Sequence, residues 1–126
     1  MEKKIINTTS APAPIGPYNQ AIIANNMLFI SGQIPLNPET NELITADITT
    51  ETHQVMRNLQ AILTEAGVSF THVVKTTIFL KDMSLFSRIN EVYGSYFSAD
   101  YPARETVAVK GLPKDVNVEI SMIAVL

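Results

Sequence analysis

Arg104 follows Tyr101-Pro102-Ala103, so a rigid turn delivers a guanidinium to the start of a strand candidate, where side-chain direction is well fixed. A planar fork held in that way grips a carboxylate through two parallel hydrogen bonds. In local context alone the commoner fate of such an arginine is an ordinary surface salt bridge. Glu105 is a weak partner for one, because strand alternation aims it at the other sheet face.

Glu119 stands between Val118 and Ile120 in the last strand candidate, an awkward place for a charge unless that face is a pocket or a subunit boundary. A carboxylate there serves as an acid or base, pairs with an arginine, or lies on a solvated face shared with Asn117 and Ser121. Ser31 ends a strand candidate before Gly32, but no histidine in the pattern activates it as a nucleophile; binding a ligand or capping the turn suits its hydroxyl better. Gly32 has two readings of equal weight, a plain turn glycine or a point where a backbone amide closely approaches a bound group.

His53 and His72 are the two histidines, one on a helix pattern and one at a strand edge, with no partner at metal-ligand spacing. Both fit solvated or hydrogen-bonded roles, and no metal is expected. Phe86, Tyr93, Tyr96 and Phe97 follow a buried helical stripe and read as core, not as a base-stacking platform. Phosphate-binding glycine loops, the G-x-S-x-G elbow and acidic metal loops are absent from the sequence.

The 126 residues suit a single domain over 1–126. Net charge is −3, the pI is about 5.3, and no more than two basic residues are adjacent, which argues against nucleic acid as a partner. With no cysteine there is no disulfide, thiolate zinc site or thiol nucleophile. Lys3 and Lys4 run through Ile5 and Ile6 into Asn7, Thr8, Thr9 and Ser10, not into a signal-peptide core, and no apolar run reaches membrane-spanning length. The default location is the cytoplasm. An apolar content of 46% against 17% charged residues, with mean hydropathy +0.15, is a surplus for a solitary monomer and suits a subunit interface.

The elements that must position these residues follow from periodicity. Lys3 to Asn7, Gln20 to Ala24 and Met27 to Ser31 read as strands, the last two joined by an Asn25-Asn26 hairpin. After an irregular loop from Gln33 to Thr45, Asp47 or Thr49 caps a helix whose apolar positions run from Val55 to Ala66, and Gly67 stops it. Val73 to Leu80 reads as a central strand. Asp82 or Ser84 then caps a second helix with a buried stripe from Leu85 to Phe97, and Arg104 to Val109 and Val116 to Val125 close the chain as strands around a loop from Lys110 to Asp115. This order predicts an α/β (α+β) mixed sheet with both helices on one face and the other face uncovered.

Six segments together resemble the Rid family, the reactive-intermediate deaminases also called the YjgF family. They are Ile15 to Tyr18, Ser31 to Leu36, Lys75 to Met83, Asn90 to Tyr93, Tyr101 to Arg104, and Leu112 to Asp115 continuing through Val118 to Ile120. The likeness runs almost end to end. It implies a chorismate-mutase-like fold with a mixed six-stranded sheet, a homotrimer, and active sites in intersubunit clefts, where residues distant in sequence such as Tyr18 and Arg104 meet across an interface.

The archetypal RidA-like subgroup hydrolyses 2-aminoacrylate and 2-aminocrotonate, with their imine tautomers 2-iminopropanoate and 2-iminobutanoate, to 2-keto acids and ammonia without a cofactor. By that resemblance Arg104 holds the carboxylate, Glu119 orients the attacking water, the backbone near Gly32 and Thr106 binds the polar end, and Tyr18, Ser31 and Asn90 shape the pocket. Such a small 2-imino or 2-keto acid is the expected ligand.

One departure lies beside the anchor: the family's Pro-Ala-Arg-Ser-Cys is here Pro-Ala-Arg-Glu-Thr, with Glu105 and Thr106. If the family's cysteine acts through its main chain, activity survives; if it acts through sulfur, substrate preference shifts. Two other function classes stay open, a non-catalytic regulator that senses a 2-keto acid in the same cleft and the endoribonuclease or translation inhibitor with which the family has also been labelled. The acidic balance argues against the latter.

Overall fold

Asn25 and Asn26 both adopt left-handed φ, 51° and 62°, and close a two-residue hairpin between β2 (Ala21–Ala24) and β3 (Met27–Gln33). In the computed structural model, which describes residues 2–126, this hairpin is one part of a mixed six-stranded sheet. The strand order is β1-β2-β3-β6-β4-β5, with β1 at Lys4–Ile6, β4 at Val73–Leu80, β5 at Ala103–Ala108 and β6 at Val118–Val125. β4 and β5 are parallel and every other pair is antiparallel.

The first helix, α1 (Ile48–Glu65), starts where Asp47 Oδ1 accepts the Thr50 N–H at 2.8 Å. Val55, Met56, Leu59, Ile62 and Leu63 form its buried stripe against the sheet, and Gly67, at φ 80°, turns the chain away. The second helix, α2 (Phe86–Gly94), buries Ile89 and Tyr93 on the same sheet face. Asp82 caps a short 3-10 turn over Met83–Leu85, not α2 itself.

Several expected boundaries differ. The α2 stripe stops at Gly94 instead of reaching Phe97: glycine is a poor helix former, and Ser95 Oγ donates back to the Val92 carbonyl at 2.6 Å. Tyr96 and Phe97 lie beyond the helix and pack edge-on against Phe70, each with ring centroids 5.5 Å apart. β3 continues past Ser31 through Gly32 to Gln33, with a register shift between Ile30 and Gln33, where the sequence suggested a turn or loop. Finally, the loop from Lys110 to Asp115 contains a 3-10 turn, Pro113–Asp115.

The register divides side chains between the faces. Thr76 is paired with Arg104 and Ile78 with Thr106, and these positions face the helices with Leu80. Thr77 is paired with Glu105 and with Ser121, and Phe79 with Glu119, so these face away from the helices. That second face carries exposed Ile5, Phe29 and Val107, and neither helix covers it.

The first turn of α1 is tied to Asn117, the residue before β6, by a buried carboxylate. Glu51, fully enclosed, accepts hydrogen bonds from the Asn117 main-chain N–H at 2.7 Å and from Asn117 Nδ2 at 2.8 Å. Both carboxyl oxygens are thereby hydrogen-bonded. No helix in the described residues is long and apolar enough to cross a membrane.

Candidate active site

Arg104 is the second residue of β5, on the edge of the sheet, and its side chain runs over α2. The guanidinium carbon stands 5.1 Å from the Tyr93 ring centroid and 5.6 Å from that of Phe86, so two aromatic faces support the planar cation. Nη1 donates to Asn90 Oδ1 at 2.7 Å. One of the five guanidinium N–H donors is thereby fixed, and the remaining donors are available to a carboxylate.

Beneath it Tyr93 donates its hydroxyl to the buried Thr76 Oγ1 at 3.1 Å. Burial raises the Tyr93 pKa, while the Thr76 hydrogen bond and the Arg104 charge pull it down. A cavity of about 450 Å³ opens here, lined by Asn90, Tyr93, Gly94, Tyr101, Pro102 and Arg104. Thr106 lies two residues further along the same face, and its Oγ1 is enclosed with no hydrogen-bond partner among the described residues.

Glu119 is the second residue of β6, paired with Phe79, on the face without helices. Its carboxyl group rests against Gly32: a Cβ built on that glycine would stand 2.8 Å from Glu119 Cδ and 3.1 Å from Cγ. The glycine is therefore neither a turn residue nor one with left-handed φ; it leaves the space that the carboxylate occupies. Glu119 is half-buried, and that burial raises its pKa above the usual carboxylate range.

Tyr18 and Ser31 line a second hollow on this face, of about 340 Å³, together with Phe29 and Ser121. Ser31 Oγ donates to the Asn19 carbonyl at 2.7 Å, which ties β3 to the loop bearing Tyr18. Gln20, expected in β2, instead anchors that loop, accepting from Thr8 N at 2.6 Å and donating to the Pro12 carbonyl at 2.8 Å.

The expected site residues thus fall into two groups. Arg104, Asn90 and Thr106 belong to the helix side at the β5 edge; Glu119, Gly32, Tyr18 and Ser31 belong to the open face. Within one chain Arg104 and Glu119 point to opposite sides of the sheet. Glu105 faces away from the Arg104 guanidinium and pairs with Lys75 at 2.9 Å, so its charge is locally balanced.

Phe86, Tyr93 and Tyr101 around Arg104 were not singled out as site residues from sequence; the one available signal was the adjacency of Tyr101-Pro102 to Arg104. His53 and His72 hold no metal cluster among the described residues: His53 Nδ1 is 2.8 Å from Tyr96 Oη, and His72 Nδ1 accepts the Ser69 N–H at 3.2 Å.

The sequence model of the family described as endoribonuclease L-PSP matches residues 8–126. A RutC family protein of Pyrococcus horikoshii is 53% identical over 122 residues, 97% of each chain. Reactive Intermediate Deaminase A, chloroplastic, of Arabidopsis thaliana is 44% identical over all of this chain and 67% of its own length. Among solved structures, E. coli TdcF with bound serine superposes with a TM-score of 0.93 at 44% identity, covering 98% of both chains.

Proposed function

Because this chain belongs to the Rid family, also called the YjgF family, we propose that it hydrolyses reactive 2-imino acids and their enamine tautomers to 2-keto acids and ammonia. Substrates of this kind include 2-iminopropanoate and 2-iminobutanoate. The observation that carries the reading is the Arg104 guanidinium, held by Asn90 and two aromatic rings at the mouth of a cavity with donors left for a carboxylate.

In this reading Arg104 binds the substrate carboxylate and leaves the C=N carbon exposed to water. Glu119 accepts a proton from that water as its oxygen bonds to C2. Starting from the protonated imine, that proton then passes to the carbinolamine nitrogen, the C–N bond breaks as the hydroxyl proton returns to Glu119, and ammonia and the 2-keto acid leave. A carboxylate with a raised pKa is suited to both accepting and returning the proton. Tyr18, Gly32, Ser31 and Thr106 shape the surrounding pocket.

Since Arg104 and Glu119 occupy opposite faces of one sheet, a site containing both needs two copies of the chain. The β5 edge of one protomer meets the open face of its neighbour, which covers Phe29 and Val107, and a closed ring of three such contacts makes a homotrimer. The net charge of −3 supports a small-molecule substrate over an RNA backbone.

The test couples a serine or threonine dehydratase to the protein and follows keto-acid release, with Arg104→Ala and Glu119→Ala as controls. Acceleration by the native chain that is lost in both variants is expected. No acceleration by the native chain refutes the proposal.

A further inference from the structure

Phe86, Asn90 and Tyr93 stand four and three residues apart on α2, so they share one face of the helix, and all three meet the Arg104 guanidinium. At nine residues, with no side-chain hydrogen bond capping its start, α2 is too short to hold its place by helix propensity alone. Its docking on the sheet therefore sets where that face lies. Among the described residues, and apart from the Arg104–Asn90 bond itself, one side-chain hydrogen bond ties α2 to the sheet: the Tyr93 hydroxyl donates to Thr76 Oγ1 at 3.1 Å.

Thr76 is also the cross-strand partner of Arg104 in the parallel pairing of β4 with β5. The three residues close a loop: β4 holds β5, β5 projects the guanidinium over the Tyr93 ring, and Tyr93 returns to β4 through its hydroxyl. Thr76 is fully buried and Tyr93 is 3% exposed, so solvent offers neither hydroxyl a substitute partner. Phe97 packs on the same ring with centroids 4.9 Å apart, tilted by 44°. At that exposure Tyr93 acts on a ligand only through Arg104, by giving the cation a fixed aromatic surface.

We infer that Tyr93 is a positioning residue for carboxylate recognition: hydrogen-bonded to Thr76, its ring fixes the Arg104 guanidinium in the orientation from which the free donors grip a carboxylate. This rests on the deaminase reading of the Arg104 site. Thr76 belongs to the same device, and neither residue touches the reacting bond. Loss of the Tyr93 hydroxyl frees the ring to tilt and leaves Thr76 Oγ1 enclosed without its donor. The cation then spreads over several orientations, and a two-pronged grip loses its geometry while the charge stays.

The experiment measures by calorimetry the binding of 2-ketobutyrate and of its neutral amide, 2-oxobutanamide, to the native chain, Arg104→Ala, Tyr93→Phe, Thr76→Val and the Tyr93→Phe/Thr76→Val double variant. Both single substitutions remove a hydroxyl or replace it by a methyl and keep the rest of the side chain. The native chain is expected to prefer the acid over the amide by about tenfold or more, and Arg104→Ala to lose that preference. Tyr93→Phe and Thr76→Val are each expected to cut the preference about fivefold, and the double variant to cut it no further, because the two hydroxyls act as one unit. A native preference retained in both single variants, or both ligands weakened by the same factor, overturns the positioning role and leaves the pair to packing alone. Losses that multiply in the double variant overturn the action of Tyr93 through Thr76. A native chain without any preference for the acid overturns the anchor and this role with it. Keto-acid release in the dehydratase-coupled assay is followed in parallel: no acceleration by the native chain overturns the deaminase reading, whereas the acid-over-amide ratios still decide the role of Tyr93.

Discussion

The Glu119 carboxyl group lies so close to the Cα of Gly32 that a methyl group on residue 32 would stand 2.8 Å from Glu119 Cδ. The nearest atoms are the far end of a flexible side chain, so Gly32→Ala is expected to fold and to displace the carboxylate. Deaminase turnover should fall by about 10²-fold, the lower end of what a positioned acid or base contributes, while the thermal midpoint moves little. Turnover equal to the native chain's would show that Glu119 needs no fixed place against Gly32.

Burial raises the Glu119 pKa, so the acid limb of the activity profile should lie above the 4.5 of an ordinary glutamate. As a proton acceptor it works ionised, and activity falls as pH drops through the raised value. The stability effect has the opposite sign. A carboxyl with a raised pKa in the folded state favours the fold when protonated, and that contribution is lost as pH rises through the folded pKa. Glu119→Gln should therefore be more stable than the native chain at neutral pH, and the difference should vanish below about pH 4. Thermal melts across this range check it; a gap that widens on acidification contradicts the burial argument.

Asn90 accepts a 2.7 Å hydrogen bond from Arg104 Nη1 and touches the anchor, not the reacting bond. Asn90→Ala should raise KM by roughly fivefold, about 1 kcal/mol, with a smaller change in kcat. Steady-state kinetics separate the two constants. A fall in kcat at constant KM would mean that Asn90 serves the chemical step.

Glu51 satisfies two donors of Asn117 across 66 residues of sequence. Truncation leaves the part-buried Asn117 main-chain N–H without its protein partner, and Glu51→Ala should cost about 1 to 3 kcal/mol. The readout is the urea midpoint at unchanged slope. A midpoint equal to the native one would show that water replaces the carboxylate without loss.

Local pattern was enough to place the Asn25-Asn26 hairpin, the buried stripe of α1 and the central strand β4, because each rests on short-range periodicity or on backbone preference. It failed where a distant partner decides. Gly32 and Gln33 have the composition of a turn and loop, yet pairing of Gln33 with Ile120 keeps them in β3. Arg104 and Glu119 could be named, the first only because six segments in register outweighed an uninformative local context. Their assignment to opposite faces depends on the parallel register of β4 with β5, which nothing local encodes. The Glu51–Asn117 tie had no signal in the sequence for the same reason.

The central claim is that one deaminase site is built from the Arg104 edge of one chain and the Glu119 face of another. The direct measurement is complementation. Arg104→Ala and Glu119→Ala chains are each unfolded, refolded alone or as an equal mixture, and assayed for keto-acid release from a 2-imino acid. Each alone should be inactive, whereas random mixing places an intact Arg104 opposite an intact Glu119 at about a quarter of the sites and should restore about a quarter of native activity. A mixture as inactive as its components, at native oligomeric size, would contradict the shared site.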